Sequence, residues 1–287
     1  MIRGTIVMLP TRWMLLAACL LAAPALWGAE RLPIFDAHVH YSASAWDAYP
    51  PDVVRRKLEA AGVLRALASS SPDDGTLRLV AADARRFVPV LRPYRAGVRP
   101  GNWTTDAATP DYLRGRLAQR PYAGLGELHL DTVEDARSPV MRAVARLAVE
   151  RGLPLHVHAG AEVIEALFAL EPEARILWGH AGFEPPETVR AVLERHPRLW
   201  AELSFQEGSI LRGEGLEPAW AALLTGHPQR FLVGSDTYVS SRWEAYEELI
   251  ADHRRYLALL PPAVARAIAY GNAVRLFEDG GVAFPAP

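Results

Sequence analysis

The chain has 287 residues, of which 50% are hydrophobic and 22% are charged, with 21 Gly and 23 Pro. This is the composition of an ordinary globular protein, and it excludes collagen-like chains and largely disordered ones. The 31 basic and 33 acidic residues give a formal net charge of −2, and the sequence contains no long basic block. A nucleic-acid partner is therefore not expected, because such partners require a concentrated positive surface.

Residues 1–29 have the layout of a secretory signal peptide. Arg3 and Arg12 precede an uncharged run from Trp13 to Trp27, and small residues follow that run. A membrane-spanning helix needs about 20 apolar residues. The run is shorter than that and contains Pro24, so no stable membrane span is expected.

We predict cleavage of this segment near Ala25 to Ala29, which leaves residues 30–287 as the mature domain, exported to the periplasm. In the alternative, Leu16 to Cys19 is a lipoprotein cleavage box and Cys19 carries a lipid anchor. Cys19 is the only cysteine in the chain. Once the segment is removed, thiolate metal sites, cysteine nucleophiles and internal disulfides are all excluded.

Downstream of residue 30, short apolar runs alternate with longer segments whose apolar residues fall at i, i+3, i+4 and i+7, the spacing of amphipathic helices. Nearly continuous apolar runs are typical of strands that are buried on both faces of a parallel sheet. Eight such strand and helix units in about 250 residues predict a single-domain (β/α)8 TIM barrel. The predicted strands begin at Leu32, Val63, Phe87, Tyr122, Leu153, Arg175, Leu199 and Phe231.

The predicted third and fourth strands are separated by residues 96–112, which are rich in Gly, Pro, Asn and Thr. This composition predicts a long loop, which would lie over the mouth of the barrel.

Histidines and carboxylates lie at the carboxyl ends of five predicted strands, where barrels of this type build their active sites. Because strand side chains alternate with period two, residues at i and i+2 point to the same face. Uncompensated polar groups in a core would cost a few kcal/mol each, so the set indicates a divalent metal site. The residues are His38, His40, Glu127, His129, His156, His158, His180 and Asp236.

Within this set we expect His129 and His156 to orient the ligands rather than to bind metal. Three further histidines lie in helices or at helix ends, and for these we expect structural roles. They are His196, His227 and His253.

Arg92 and Tyr94 share a face at the end of the third predicted strand. We predict that they bind the substrate, with Arg92 holding an anionic group through two hydrogen bonds. The alternative for Arg92 is a structural ion pair with a neighbouring carboxylate. Further residues are expected to line the pocket: Glu202 and Ser204 from strand seven, and Trp103, Phe205 and Tyr238 from loops.

With these residues in place, the chain resembles the amidohydrolase superfamily, in particular its amidohydrolase-related (amidohydrolase 2) branch of metal-dependent TIM-barrel hydrolases and decarboxylases. The strings that carry the resemblance are FDAHVH, GLGELHLD, PLHVHAG, ILWGHAG, RFLVGSDT and YGNAVRLF. The resemblance implies that four residues are metal ligands: His38, His40, His158 and Asp236. It makes His180 either a ligand of a second metal or a catalytic group.

One departure from the family pattern is informative. Many binuclear members bridge their metals with a carboxylated lysine on strand four, whereas the only lysine here, Lys57, lies in the first predicted helix. Glu127 occupies the strand-four position instead, as in a branch of the superfamily that bridges two metals through a glutamate.

The resemblance implies a metal-dependent hydrolase of a C–N or C–O bond in a small molecule, with Asp236 moving the proton and His180 assisting. The alternative is a metal-dependent decarboxylase of an unsaturated or aromatic carboxylic acid. A binding protein on a degraded barrel is disfavoured by the complete ligand set. The expected cofactor is one or two divalent ions, with Zn favoured over Mn, Fe or Co for nitrogen and oxygen ligands.

Overall fold

The computed structural model describes residue 1 and residues 31–277. Apart from Met1, the predicted signal segment with Cys19 lies outside the described residues. Among the residues that are described, no helix is both long enough and apolar enough to cross a membrane. The described helices and strands all belong to one compact unit that begins at Leu32.

Eight parallel strands pair in chain order, each with the next. The sheet closes on itself through a parallel bridge between Asp36 and Val233, where the Ala37 N–H donates to the Val233 carbonyl at 2.8 Å. Each strand falls within one of the predicted runs, so the predicted barrel is confirmed. The strands are β1 (Ile34–Val39), β2 (Val63–Ala68), β3 (Phe87–Leu91), β4 (Gly124–His129), β5 (Leu155–His158), β6 (Ile176–Trp178), β7 (Leu199–Glu202) and β8 (Phe231–Leu232).

Helices form most of the connections between the strands, and a π-helical turn, 267–271, precedes the last described helix. A short antiparallel hairpin of Leu211–Arg212 and Gly215–Leu216 lies between β7 and β8. The helices are α1 (Pro51–Ala61), α2 (Asp74–Ala82), α3 (Thr109–Gln119), α4 (Val133–Arg137), α5 (Pro139–Arg151), α6 (Ala161–Leu170), α7 (Pro186–Arg195), α8 (Glu207–Ile210), α9 (Pro218–Gly226), α10 (Ser240–Glu244), α11 (Tyr246–Ala258), α12 (Pro262–Arg266) and α13 (Asn272–Phe277).

Local sequence sets the ends of the longer helices, as α5 illustrates. The Ser138 hydroxyl accepts the N–H of Met141 at 3.0 Å, and Pro139 occupies the first turn, where a missing N–H is tolerated. The helix ends at Gly152, whose φ of 65° is the left-handed conformation that favours glycine. Its apolar stripe, which includes Val144, is buried against the core.

The loop predicted for residues 96–112 is only partly irregular. A 3-10 turn forms at Trp103–Thr105, and α3 begins at Thr109, so the last residues of the predicted loop are helical. Trp103 was expected to line the pocket, and this was wrong. Its side chain is fully buried, and its indole N–H donates to the His129 carbonyl at 2.7 Å, which ties the loop to the end of β4.

Candidate metal centre

The ends of β1 and β4 and the segment after β8 bring four predicted ligands together. The Nε2 atoms of His38 and His40 lie 2.9 Å apart, and Asp236 Oδ1 lies 3.5 Å and 3.3 Å from them. Glu127 Oε2 is 3.1 Å from His40 Nε2 and 3.5 Å from His38 Nε2. These atoms form the first donor group of the site.

A second donor group adjoins the first through the same glutamate. Glu127 Oε1 lies 3.1 Å from His158 Nδ1 and 3.6 Å from His180 Nε2, and the two histidine nitrogens are 3.2 Å apart. Glu127 also forms a potential metal-binding group with His129 and His158. His129, expected only to orient ligands, is therefore itself placed among the candidate donors. The two groups share Glu127, which is the arrangement expected of a bridging carboxylate.

The protonation pattern of the histidines decides whether the first group fits a cation. His38 Nδ1 faces Glu202 Oε1 at 3.0 Å, and His40 Nδ1 faces the Ser69 carbonyl at 2.5 Å. These two partners only accept, so they favour a proton on each Nδ1 and leave each Nε2 as the atom that would bind a cation in place of a proton. His40 Nδ1 also lies 3.3 Å from Arg92 Nη1. Asp236 Oδ1 is buried beside the two Nε2 atoms and has no hydrogen-bond partner among the described residues. Two converging Nε2 atoms and this carboxylate oxygen fit a divalent cation.

The electrostatics of the site also favour positive charge. Burial lowers the pKa of His38, but the carboxylates of Asp236, Glu127 and Glu202 outweigh that effect and raise this pKa well above its ordinary value. Burial raises the pKa of Glu127, yet the charge of His38 and hydrogen bonds from His158 and His180 hold it well below its usual range. The carboxylates therefore attract either a proton or a metal cation.

Two other histidines of the site are neutral imidazoles. Burial lowers the pKa of His129 to about 3, against the attraction of Glu127. Burial and the neighbouring His38 hold the pKa of His156 well below its ordinary value. His156 packs edge-on against the His38 ring at 4.4 Å and forms a potential metal-binding group with His38 and Glu202, so its orienting role stays a prediction.

Glu202 and Ser204 lie beneath the donor groups and do not line the pocket, contrary to expectation. Both are fully buried. Glu202 accepts from His38 Nδ1 and, at 2.5 Å, from the backbone N–H of His180, and its other oxygen accepts the Ser204 N–H at 2.8 Å. The Ser204 hydroxyl in turn lies 2.7 Å from His180 Nδ1. The pair fixes the orientation of both histidines, which the alternation of strand residues could not reveal.

Asp36 is a functional residue that sequence reasoning missed. Its buried carboxylate accepts the N–H groups of His38 and Ser235 at 3.1 Å and 2.9 Å. The Asp236 N–H donates to the His38 carbonyl at 2.6 Å, and the Thr237 hydroxyl accepts the His40 N–H at 2.9 Å. These bonds hold Asp236 against the ligands of β1. The only sequence signal was the place of Asp36 in the DAHVH run.

Left-handed backbone conformations are concentrated around the site. Among described residues other than glycine, φ is positive only in the segments that follow β6, β7 and β8. Each such residue costs of order 1–3 kcal/mol, and such strain is typical of functional sites. The residues are His180 (56°), Ala181 (47°), Phe183 (57°), Phe205 (64°) and Asp236 (46°).

Arg92 lies beside the first donor group, and Tyr94 lies beside His129. Arg92 is buried, with Nη2 3.3 Å from Glu127 Oε2, so it makes the ion pair considered as the alternative to substrate binding. Its Nε has no hydrogen-bond partner among the described residues. The buried Tyr94 hydroxyl accepts the His129 backbone N–H at 2.9 Å and lies 2.9 Å from His129 Nδ1. Tyr94 thereby orients His129, and substrate contact by either residue stays a prediction.

The remaining candidates lie away from the site. Lys57 Nζ is 3.0 Å from Glu247 Oε2 on α11, where it cannot bridge metals. The three histidines expected to be structural each lie beside a glutamate outside the donor groups. These pairs are His196 with Glu165 (2.8 Å), His227 with Glu194 (3.7 Å) and His253 with Glu207 (2.9 Å).

Comparison with solved structures finds similar folds at low identity. An uncharacterised TIM-barrel protein from Bordetella bronchiseptica aligns with a TM-score of 0.63 at 14% identity, over 88% of this chain and 100% of that one. A zinc-bound amidohydrolase from Burkholderia multivorans aligns with a TM-score of 0.60 at 16% identity, over 88% of this chain and 99% of that one. A probable 2-pyrone-4,6-dicarboxylic acid hydrolase from Acinetobacter baumannii, with citric acid bound, aligns with a TM-score of 0.52 at 13% identity. That alignment covers 85% of this chain and 99% of that one.

Among curated proteins, none matches the chain. The family model described as Amidohydrolase matches residues 35–278, which is most of the sequence and includes every residue of both donor groups. The chain therefore belongs to the amidohydrolase family and is a TIM-barrel enzyme of that superfamily.

Proposed function

We propose that this protein is a metal-dependent hydrolase that cleaves a C–O or C–N bond, as in a lactone, ester or amide, of a small anionic molecule. The observation that carries the proposal is the pair of donor groups that share Glu127. Within the first group, the buried Asp236 Oδ1 makes no hydrogen bond to any residue that the structure describes. A catalytic carboxylate next to converging imidazole lone pairs is the requirement for hydrolysis by activated water.

Zinc is the proposed ion. The donors are imidazoles and carboxylates, a set that suits Zn and also Mn, Fe or Co, and the Burkholderia multivorans relative holds zinc. His38, His40 and Asp236 would hold one ion, and His158 would hold a second, with Glu127 between them. When bound, the ion lowers the pKa of a water molecule towards about 7 and polarises the scissile carbonyl.

The chain's own residues handle the proton. Asp236 accepts the proton of the attacking water and passes it to the leaving group; its Oδ1 makes no hydrogen bond among the described residues. His180 is the second catalytic candidate, because its Nε2 faces Glu127 and His158 while Ser204 holds its Nδ1. It stabilises the oxyanion that develops on the carbonyl, or protonates the leaving group.

An anionic substrate is supported by Arg92, whose charge lies beside the first donor group and whose Nε is unpaired among the described residues. A guanidinium binds carboxylates through paired hydrogen bonds. The Acinetobacter baumannii relative is named for a dicarboxylic acid and was solved with citric acid bound. A 2-pyrone is a cyclic ester, so an anionic lactone or ester is the substrate class to test first.

The first experiment is the metal content of the purified protein and of Glu127→Ala, measured by elemental analysis without chelator. About two ions per chain that fall to one or fewer in Glu127→Ala would support a glutamate-bridged hydrolase. About one ion in both proteins would contradict the bridge, favour a site for a single metal and leave the decarboxylase as the alternative.

The second experiment follows proton release and carbon dioxide release from a panel of anionic lactones and esters. Asp236→Asn is expected to abolish turnover and to leave the circular dichroism spectrum unchanged. The matched control is Asp111→Asn, because Asp111 pairs with Arg114 on the exposed face of α3. Full activity in Asp236→Asn would refute the proposed mechanism, and carbon dioxide release without hydrolysis would replace it.

We also propose export to the periplasm, on the composition of residues 1–29. Cell fractionation followed by N-terminal sequencing tests this, and a mature N-terminus near Glu30 is the expected result. A lipid-labelled product that is lost in Cys19→Ser would indicate the anchored alternative.

A further inference from the structure

Three exposed aromatic side chains border the metal centre. Phe183 follows β6, Phe205 follows β7 and Tyr238 follows β8, and they are 55%, 38% and 54% exposed. Aromatic rings carry a large apolar surface and are usually covered in a folded domain, so a contiguous exposed group marks a binding surface. We call these three residues the aromatic shelf.

The shelf begins at a residue of the second donor group. The Phe183 ring stacks on the His180 imidazole with 4.7 Å between centroids, and Phe205 meets the same imidazole edge-on at 5.5 Å. Phe205 lies 6.1 Å from Phe183 and 6.4 Å from Tyr238. All four distances are within the range of favourable aromatic contacts. The rings therefore lead outward from the centre as one continuous surface.

The backbone and a buttressing arginine hold the shelf in place. Phe183 and Phe205 both adopt left-handed φ values, 57° and 64°, which are unfavourable for residues with a Cβ. The Phe205 ring lies over the Arg242 guanidinium at 4.0 Å. Arg242 in turn donates to the carbonyls of Ser235 and Asp236 at 2.6 Å and 2.7 Å. The Phe205 ring is therefore held in an exposed position by a strained backbone and by Arg242.

On the proposed function, we infer that the aromatic shelf binds a planar aromatic portion of the substrate, while the reacting group lies beside His180. Of the shelf, Phe183 also lines an open depression of about 180 Å³ together with His158. A cavity of about 150 Å³ holds benzene, so this depression is large enough for a single ring. With Arg92 supplying the positive charge, the substrate class becomes an aryl-substituted anionic ester or lactone.

The test measures binding of unreactive acids, so that it does not depend on turnover. Calorimetry compares phenylacetate with acetate on the metal-loaded protein and on Phe205→Ala and Tyr238→Ala. Tyr238 itself does not have a positive φ, unlike Phe183 and Phe205. The control is Leu259→Ala, because Leu259 is a 46% exposed leucine at the end of α11.

We expect the unaltered protein and Leu259→Ala to bind phenylacetate about tenfold more tightly than acetate. This corresponds to about 1.4 kcal/mol. Phe205→Ala and Tyr238→Ala should each reduce the ratio to about threefold or less. Equal affinity for the two acids in the unaltered protein would overturn the inference, as would an equal loss in Leu259→Ala.

The same proteins separate this inference from the proposed function. If no ester is hydrolysed but the preference for the ring persists, the hydrolase proposal fails and the shelf stands. If aryl and methyl esters are hydrolysed with equal kcat/KM, the inference about the aromatic shelf fails and the hydrolase proposal stands. Sedimentation decides against a competing occupant: a dimer that Phe205→Ala dissociates would make the shelf an interface between copies and overturn the inference.

Discussion

Glu202 offers the sharpest prediction, because it lies outside the two donor groups and its carboxylate contacts both His38 and His180. Replacing it in Glu202→Gln preserves the shape of the side chain and one carbonyl oxygen. The other carboxylate oxygen becomes an NH2 group, which cannot accept from the donors that face it. Three donors face Oε1, namely the His38 ring, the His180 backbone N–H and the Ser204 hydroxyl, and the Ser204 N–H faces Oε2, so an NH2 group at either position loses at least one of them.

The magnitude follows from two independent estimates. A hydrogen bond to a charged group contributes about 1.5–3 kcal/mol, and at least one such bond is lost. Loss of a residue that orients a metal ligand typically lowers metal affinity by about 10-fold to 100-fold, which is about 1.4–2.8 kcal/mol. We therefore expect the zinc affinity of Glu202→Gln to fall by between about one and two powers of ten.

The assay is calorimetric zinc titration of the chelator-treated protein, with urea denaturation of the same samples. Glu207→Gln is the matched control. Glu207 is also a glutamate beside a buried histidine, His253 at 2.9 Å, but it lies outside both donor groups. Both variants should lose stability, and only Glu202→Gln should lose zinc affinity.

Two results would refute this reasoning. If Glu202→Gln binds zinc as tightly as the unaltered protein, the carboxylate does not orient His38. If both variants lose affinity equally, the effect is a general loss of stability and not one of ligand orientation.

Three further predictions concern stability. Gly126→Ala should be strongly destabilising in urea denaturation, by more than about 2 kcal/mol, because a Cβ would lie 2.2 Å from the His156 carbonyl oxygen at a φ of 140°. The control is Gly101→Ala, where a Cβ would meet nothing within 4 Å and the unfolding free energy should change by no more than about 0.5 kcal/mol. Equal losses in the two variants would contradict the close packing described at Gly126. Burial lowers the pKa of His253, but the charge and hydrogen bond of Glu207 outweigh it and raise this pKa above its ordinary value. The stabilisation of the folded protein by the His253–Glu207 pair is therefore full below about pH 6.5 and is lost as the pH rises through the raised pKa of His253. The difference in unfolding free energy between the unaltered protein and Glu207→Gln should narrow with increasing pH, and a difference that widens would contradict the raised pKa of His253. Zinc at a hundredfold excess over its Kd should stabilise the chelator-treated protein by about 2.7 kcal/mol in the same assay, and no change would contradict a metal site in the folded state.

The amino-acid sequence alone determined the barrel and most of the donor set. Apolar runs predict the buried strands, and apolar residues at helical spacing predict the buried faces of the helices between them. Both patterns lie within short stretches of sequence, so they can be recognised without the tertiary structure. The same alternation with period two put His38 and His40 on one face of β1. The position of each strand end then identified Glu127, His158, His180 and Asp236, because parallel strands in a barrel end at a common edge.

Only the tertiary structure decided what each polar residue does there. Glu202 was expected to line the pocket and instead supports His38 from beneath, Trp103 is buried under its loop, and Arg92 is paired with Glu127. Phe183, which begins the aromatic shelf, carried no signal in the sequence. The physical reason is that periodicity fixes the direction of a side chain from its own strand, whereas its partners come from other strands and from turns with left-handed backbone. Those contacts depend on register, on loop conformation and on which lone pairs remain free after neighbouring hydrogen bonds have formed.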